Sequence, residues 1–119
     1  MGKLIFWLGS TQSDLTAASE PVRRTMGGAL RAAQEGGMSA DATPMKGNLR
    51  GVIEVREDDE AGTYRLMYTV EIGENVYVLD FFQKKSKRGV ATPQADLNRI
   101  ALRLKAAQQH AVSQKDAAR

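Results

Sequence analysis

The chain has 119 residues, 42% of them hydrophobic and 26% charged, with a mass of 13.0 kDa; that is enough for one domain with a single core and too little for a large multi-site enzyme. It contains no Cys and one His, which removes disulfide scaffolds, thiolate nucleophiles and Cys- or His-built metal centres. Its formal charge of +3 is unevenly spread, because residues 1–83 carry 8 Lys and Arg against 12 Asp and Glu whereas residues 84–119 carry 9 against 2.

Residues 3–8 form an apolar run with Ile5, Phe6 and Trp7, closed by Gly9 and Ser10, which predicts a short first strand with Trp7 in the core. The run lacks the long apolar region and cleavage site of a signal peptide, and no stretch reaches membrane-spanning length, so a cytoplasmic domain without membrane contact is expected. Asp14 follows Thr11 at capping-box spacing and predicts a short helix through Leu15 and Ala18. Pro21, behind Ser19 as cap, starts a second, antiparallel helix with Val22, Met26, Leu30 and Ala33 on one face. Gly27 and Gly28 interrupt that helix at about 1 kcal/mol each relative to Ala, which implies close backbone packing or a break. Gly36 and Gly37 end it.

Residues 38–51 lack periodicity and hold Pro44, Gly47 and Asn48, so they read as a loop carrying Lys46 and Arg50. Residues 52–56 alternate as a strand, and the acidic stretch 57–60 before Gly62 predicts an exposed hairpin loop. Residues 64–72 form a strand with Tyr64, Leu66, Tyr68, Val70 and Ile72 on one face and Arg65, Met67, Thr69 and Glu71 on the other. Residues 76–82 are apolar on both faces with Asp80 their only charge, the pattern of a central strand. Thr92 and Pro93 open a last helix with Asp96 one turn in and a stripe of Leu97, Ile100, Ala101 and Leu104. Residues 111–119 lack a stripe and are expected to fray. The predicted order, β-α-α-β-β-β-α, is one α+β domain over residues 1–111 with a tail at 112–119.

The densest charge lies after the last strand, where Lys84, Lys85, Lys87 and Arg88 supply four cations in five positions. Such a run binds phosphates or solvates a loop. Counting by two places Glu54 and Arg56 on one face, so consecutive strands let Arg56, Arg65 and Lys84 converge, with Lys46 and Arg50 arriving from the loop. That surface suits a polyanion; alternatively Glu54, Arg56, Arg65 and Glu71 satisfy one another as a cross-strand ladder. Tyr64, Tyr68 and Tyr77 either stack on bases or complete the core. His110 falls beyond the apolar stripe and reads as a surface residue, which argues against a Ser-His-Asp arrangement.

The segments 51–56, 64–68, 82–85 and 92–105 together resemble the phage-derived, HigB-type branch of the RelE/ParE toxin superfamily, over nearly the whole chain. The most specific matches are Phe82, Gln83, Lys84 and Lys85 ending a hydrophobic strand before Thr92, Pro93 and Asp96, and Tyr64–Arg65 before Leu66, Met67 and Tyr68. The resemblance implies a small twisted antiparallel sheet backed by two N-terminal helices, and the toxin of a type II toxin–antitoxin module that cuts mRNA on the ribosome. It implies helix-turn-helix antitoxin as partner, in a toxin–antitoxin heterotetramer. By resemblance Arg65 faces the scissile phosphate, and Lys84 and Lys85 are the basic residues after the last strand; the converging cations Lys46, Arg50, Arg56, Lys87 and Arg88, with the ring of Tyr68, are then the expected RNA-binding residues. Ribose 2′-hydroxyl attack then needs neither metal nor cofactor. Val52 and Glu54 stand where RelE proper has lysines, so Glu54 is the candidate base and Lys84 or Lys85 the candidate acid. The alternatives are a ParE-like inhibitor of gyrase and a phage-derived nucleic-acid binder without activity.

Overall fold

Two strand faces and three helices have to be matched, and the alternation of apolar residues does the matching. The computed structural model describes residues 2–84 and 92–117. The elements are β1 (Ile5–Trp7), α1 (Thr11–Thr16), α2 (Glu20–Gln34), β2 (Ala42–Pro44), a 3-10 turn (Gly47–Leu49), β3 (Val52–Asp59), β4 (Gly62–Thr69), β5 (Val76–Lys84) and α3 (Gln94–Ala117). The sheet has five strands in the order β1-β5-β4-β3-β2.

The fold is therefore α+β, but the sheet is mixed and not purely antiparallel. β3, β4 and β5 are chain neighbours joined by turns and run antiparallel, whereas β1 reaches the edge of β5 from a distance in sequence and pairs with it in parallel. The expected loop at 38–51 contains β2, which pairs Ala42, Thr43 and Pro44 with Val55, Glu54 and Ile53. Three residues are too few to show a period, and Pro44 is tolerated because it lies on an edge strand.

The acidic stretch is not a loop either. Glu57, Asp58 and Asp59 pair with Tyr64, Thr63 and Gly62, so the hairpin turn shrinks to Glu60 and Ala61. Hydroxyls from α2 and its cap hold the carboxylates: Ser19 Oγ donates to Asp59 at 2.7 Å and Thr25 Oγ1 donates to Glu57. At its other end the chain continues helical through Ala117 where fraying was expected.

Both sheet faces are covered. Ile53, Val55, Leu66, Tyr68, Val76 and Val78 pack with Leu15 of α1 and Val22, Met26, Leu30 and Ala33 of α2. Val52, Met67, Tyr77 and Leu79 pack with Ile100 and Ala107 of α3. A bulge changes the parity of β5: Met67 lies opposite Asp80 and Tyr68 opposite Val78, leaving Leu79 as the extra residue. Beyond it Asp80 and Phe82 join the α3 side, and Phe81 joins the α1–α2 core.

Candidate functional site beneath helix α3

Strand register sets out the α3 side of the sheet in rows. Glu54, Met67 and Asp80 form one row, Arg56, Arg65 and Phe82 the next, and positions 58, 63 and 84 a third. The two strand arginines are thus direct neighbours, and Lys84 closes β5 one row further on, as counting by two predicts. Lys85, Lys87 and Arg88 lie outside the described residues.

An open cationic face does not follow from this register. Arg65 is only 6% exposed and Glu54 only 8%. Arg65 Nη1 donates to Glu54 Oε2 at 2.7 Å and to Thr92 Oγ1, two residues before α3, at 2.7 Å. The reason is solvation: a guanidinium removed from water requires a countercharge, and the nearest carboxylate on that face is diagonal to it. One link of the cross-strand ladder is therefore present, and the anticipated base is the partner of the anticipated phosphate ligand. Arg65 Nε has no partner among the described residues.

The loop cations are not gathered beside this pair. Lys46 and Arg50 flank the 3-10 turn and are exposed, but the chain enters β3 at Val52, about 13 Å along the strand from Arg56. Arg56 itself is exposed. Tyr68 cannot stack on a base, because it is fully buried on the opposite, α1–α2 side. Leu66 and Tyr68 share that apolar core, which takes the ring out of reach of any ligand of Arg65. Burial pushes its phenol pKa up, and its hydroxyl has no partner among the described residues.

A second charged cluster adjoins the first and escaped the sequence reading. Asp80 is 3% exposed. Arg99 Nε donates to its Oδ2 at 2.8 Å, and Arg103 Nη1 donates to its Oδ1 at 3.1 Å and to the Leu79 carbonyl at 3.0 Å. Arg99 also reaches Asp96 at 2.6 Å and lies over the Phe82 ring, 5.7 Å from its centroid. Partial burial pulls the Arg99 pKa down, but its hydrogen bonds to Asp80 and Asp96 more than offset this and leave it raised. The sequence does carry a signal, a lone acid in a doubly apolar strand and two arginines one helical turn apart. Only the bulge at Leu79 turns them toward each other.

His110 is not a free surface residue. The Tyr77 hydroxyl lies 2.8 Å from its Nδ1 and, with the ring proton assigned to Nε2, donates to it. Phe6 stacks on Tyr77 and meets the imidazole edge-on, while burial raises the Tyr77 pKa. α3 is thus attached by polar contacts along its length: Thr92 to Arg65, Arg99 and Arg103 to Asp80, and His110 to Tyr77.

Residues 13–105 match the family described as Phage derived protein Gp49-like. The chain belongs to that family. Gp49-like proteins are RelE/toxin-like and are associated with toxin–antitoxin modules. No curated protein matches this Gp49-like chain closely enough to serve as a named relative. Among its described residues no helix is long and apolar enough to cross a membrane. The match covers the strand arginines, Glu54, Asp80 and the first half of α3, so both charged clusters lie within the family's own segment.

Proposed function

We propose that this Gp49-like protein is the toxin of a toxin–antitoxin module and an endoribonuclease that cuts mRNA at the ribosome without metal or cofactor, acting in the cytoplasm. The observation that carries the reading is the row of Arg56 and Arg65, adjacent to the end of β5 where the chain enters the run Lys84, Lys85, Lys87 and Arg88. Fixed cations beside a carboxylate suit phosphoryl transfer in RNA, where charge builds on phosphate oxygens.

In the reaction a ribose 2′-oxygen bonds to the adjacent phosphorus as the bond to the 5′-oxygen breaks, leaving a 2′,3′-cyclic phosphate and a 5′-hydroxyl. Glu54 takes the 2′-hydroxyl proton, an ammonium from Lys84 or Lys85 returns one to the departing oxygen, and Arg65 offsets the phosphate charge. Arg65 reaches RNA when the Thr92 segment that leads into α3 lifts, so that a phosphate oxygen replaces the Thr92 hydroxyl and reaches Nε, which has no partner among the described residues. A helix-turn-helix antitoxin is the proposed neutralising partner, in a heterotetramer.

Primer extension on a message translated by purified ribosomes tests this. Codon-phased cuts are expected from the wild type and are lost in Arg65→Ala and Lys85→Ala, with circular dichroism showing that the variants stay folded. Since Arg65 is buried, Arg56→Ala serves as the exposed companion and lowers cutting without touching the ion pair. Absence of cuts from the wild type on active ribosomes sinks the reading.

A second reading, a non-nuclease toxin that binds gyrase, is favoured by one observation: the Arg65 charge is already matched by Glu54. It predicts a DNA-damage response on expression with message levels intact.

A further inference from the structure

On the side of the molecule away from α3, the outward stripe of α2 carries a charge pattern that the nuclease reading leaves unused. Glu20, Arg24, Gly27, Gly28, Arg31 and Glu35 read the same in charge from either end. At about 100° per residue, all four charged residues fall within roughly 30° of a line through the gap between the glycines. All six positions are exposed; the Glu20 and Arg24 side chains, which pair with each other, are 69% and 76% accessible. A shallow cleft floored by the glycines and rimmed by Arg23, Arg24 and Arg31 runs across the stripe.

Among the described residues nothing packs against the two glycines. α2 runs through them unbroken, and a Cβ on either would meet no atom within 4 Å. Apart from proline, glycine is the least favourable residue in a helix interior, and it is tolerated where another backbone must come close. We infer that this stripe docks an α-helix of another protein that carries carboxylates at the level of Arg24 and Arg31, about 10 Å apart, and basic residues opposite Glu20 and Glu35.

Two other occupants fit less well. A second copy seated glycines to glycines is opposed by the symmetry, since α2 against α2 in that register sets like charges together whether the helices run parallel or antiparallel. A phosphate backbone lying along the stripe meets a carboxylate at each end. A helix with the inverse pattern matches all four charges, and the glycine floor lets the axes approach more closely than the usual 8–10 Å.

The probe is an alanine-based, end-capped helical peptide with two Glu seven residues apart and a Lys four residues outside each, compared with its charge-inverted twin. Both are titrated against the full chain by fluorescence anisotropy. The wild type is expected to bind the first peptide about tenfold more tightly than the second; Arg24→Glu with Arg31→Glu removes the preference, because all four positions are then acidic, and adding Glu20→Arg with Glu35→Arg reverses it. Gly27→Leu with Gly28→Leu abolishes binding with both arginines in place, and Gly27→Ala with Gly28→Ala raises the unfolding midpoint because the fold does not need the glycines. Equal affinity for the twins, binding of neither, or unaltered binding by the leucine variant overturns the inference. So does a lowered midpoint in the alanine variant. Single-stranded RNA bound more tightly than either peptide, and released by the arginine reversals, overturns it in favour of a phosphate surface.

Discussion

Arg65 costs free energy to bury whatever it later does, and Glu54 is what keeps that cost down. Each side chain is desolvated on a sheet face that α3 covers, so removing one partner strands the other as an uncompensated charge. Glu54→Leu should therefore lower stability by about 3–5 kcal/mol, and adding Arg65→Met should restore most of the loss, because an apolar pair of similar volume fills the site without the desolvation penalty. Urea unfolding of the two variants measures this; a single variant as stable as the wild type would show that water reaches the pair. Tyr68 provides a contrast at the same scale. Its hydroxyl lies in the apolar core without a partner among the described residues, so Tyr68→Phe should leave stability unchanged or raise it by up to about 1 kcal/mol. A loss of more than that would mean a buried water bonds the phenol. If the proposed toxin reading holds, expression of Tyr68→Phe should arrest growth as wild type does, since the ring cannot reach an RNA on the Arg65 side of the sheet.

Elements dock here through polar anchors as much as through apolar stripes, and this decides what the chain alone could reveal. The three-strand meander was readable because Val52 to Arg56 and Tyr64 to Thr69 alternate, and Val76 to Phe82 is apolar on both sides. β2 was not, since three residues with a proline carry no period. Residues 57–60 looked like a solvated loop because nothing local shows that Ser19 and Thr25 present hydroxyls to Asp59 and Glu57. The candidate site was legible in membership and not in state: register counting found the row of Arg56 and Arg65, but a one-residue bulge, invisible in composition, aims Asp80 at Arg99 and Arg103. Asp80→Asn removes the charge both arginines face and should weaken α3 docking by about 1.5–3 kcal/mol, read as faster hydrogen exchange of α3 amides with those of β3 and β4 unaltered. The Ser19 bond has a pH signature. It is the main cause holding the Asp59 carboxyl below its usual range, with burial opposing and the Ala61 and Gly62 amides assisting. A depressed folded-state pKa adds stability that is present above the unfolded value and lost as pH falls through the folded one. Ser19→Ala should thus lower the unfolding midpoint at pH 7, with the difference from wild type closing below about pH 4.

At the scale of the whole molecule, α3 completes one of the two apolar cores and also covers the charged row, and these roles limit how far it can move. Tyr77, Leu79, Met67 and Val52 would lie bare if the helix left the sheet, an apolar area of the kind that drives aggregation. Access to Arg65 requires less, because on the α3 side the bond that holds it among the described residues comes from Thr92, two residues before the helix. The His110 end, held by Tyr77 and Phe6, has no reason to let go. A chain without cysteine allows one engineered cross-link to separate the two motions. A Cβ built on Gly73, in the turn after β4, would lie 3.8 Å from that of Ala111 on α3, within the range that a disulfide spans. The positive φ of Gly73, 60°, makes its substitution cost about 1–2 kcal/mol, which the cross-link offsets once formed. If the proposed nuclease reading holds and access needs only the Thr92 end to lift, oxidised Gly73→Cys/Ala111→Cys should cut message on the ribosome as fast as its reduced form, because the pinned end stays in place. If oxidation abolishes cutting and reduction restores it, the helix must leave entirely to act, and the second core must then be covered by something other than this chain.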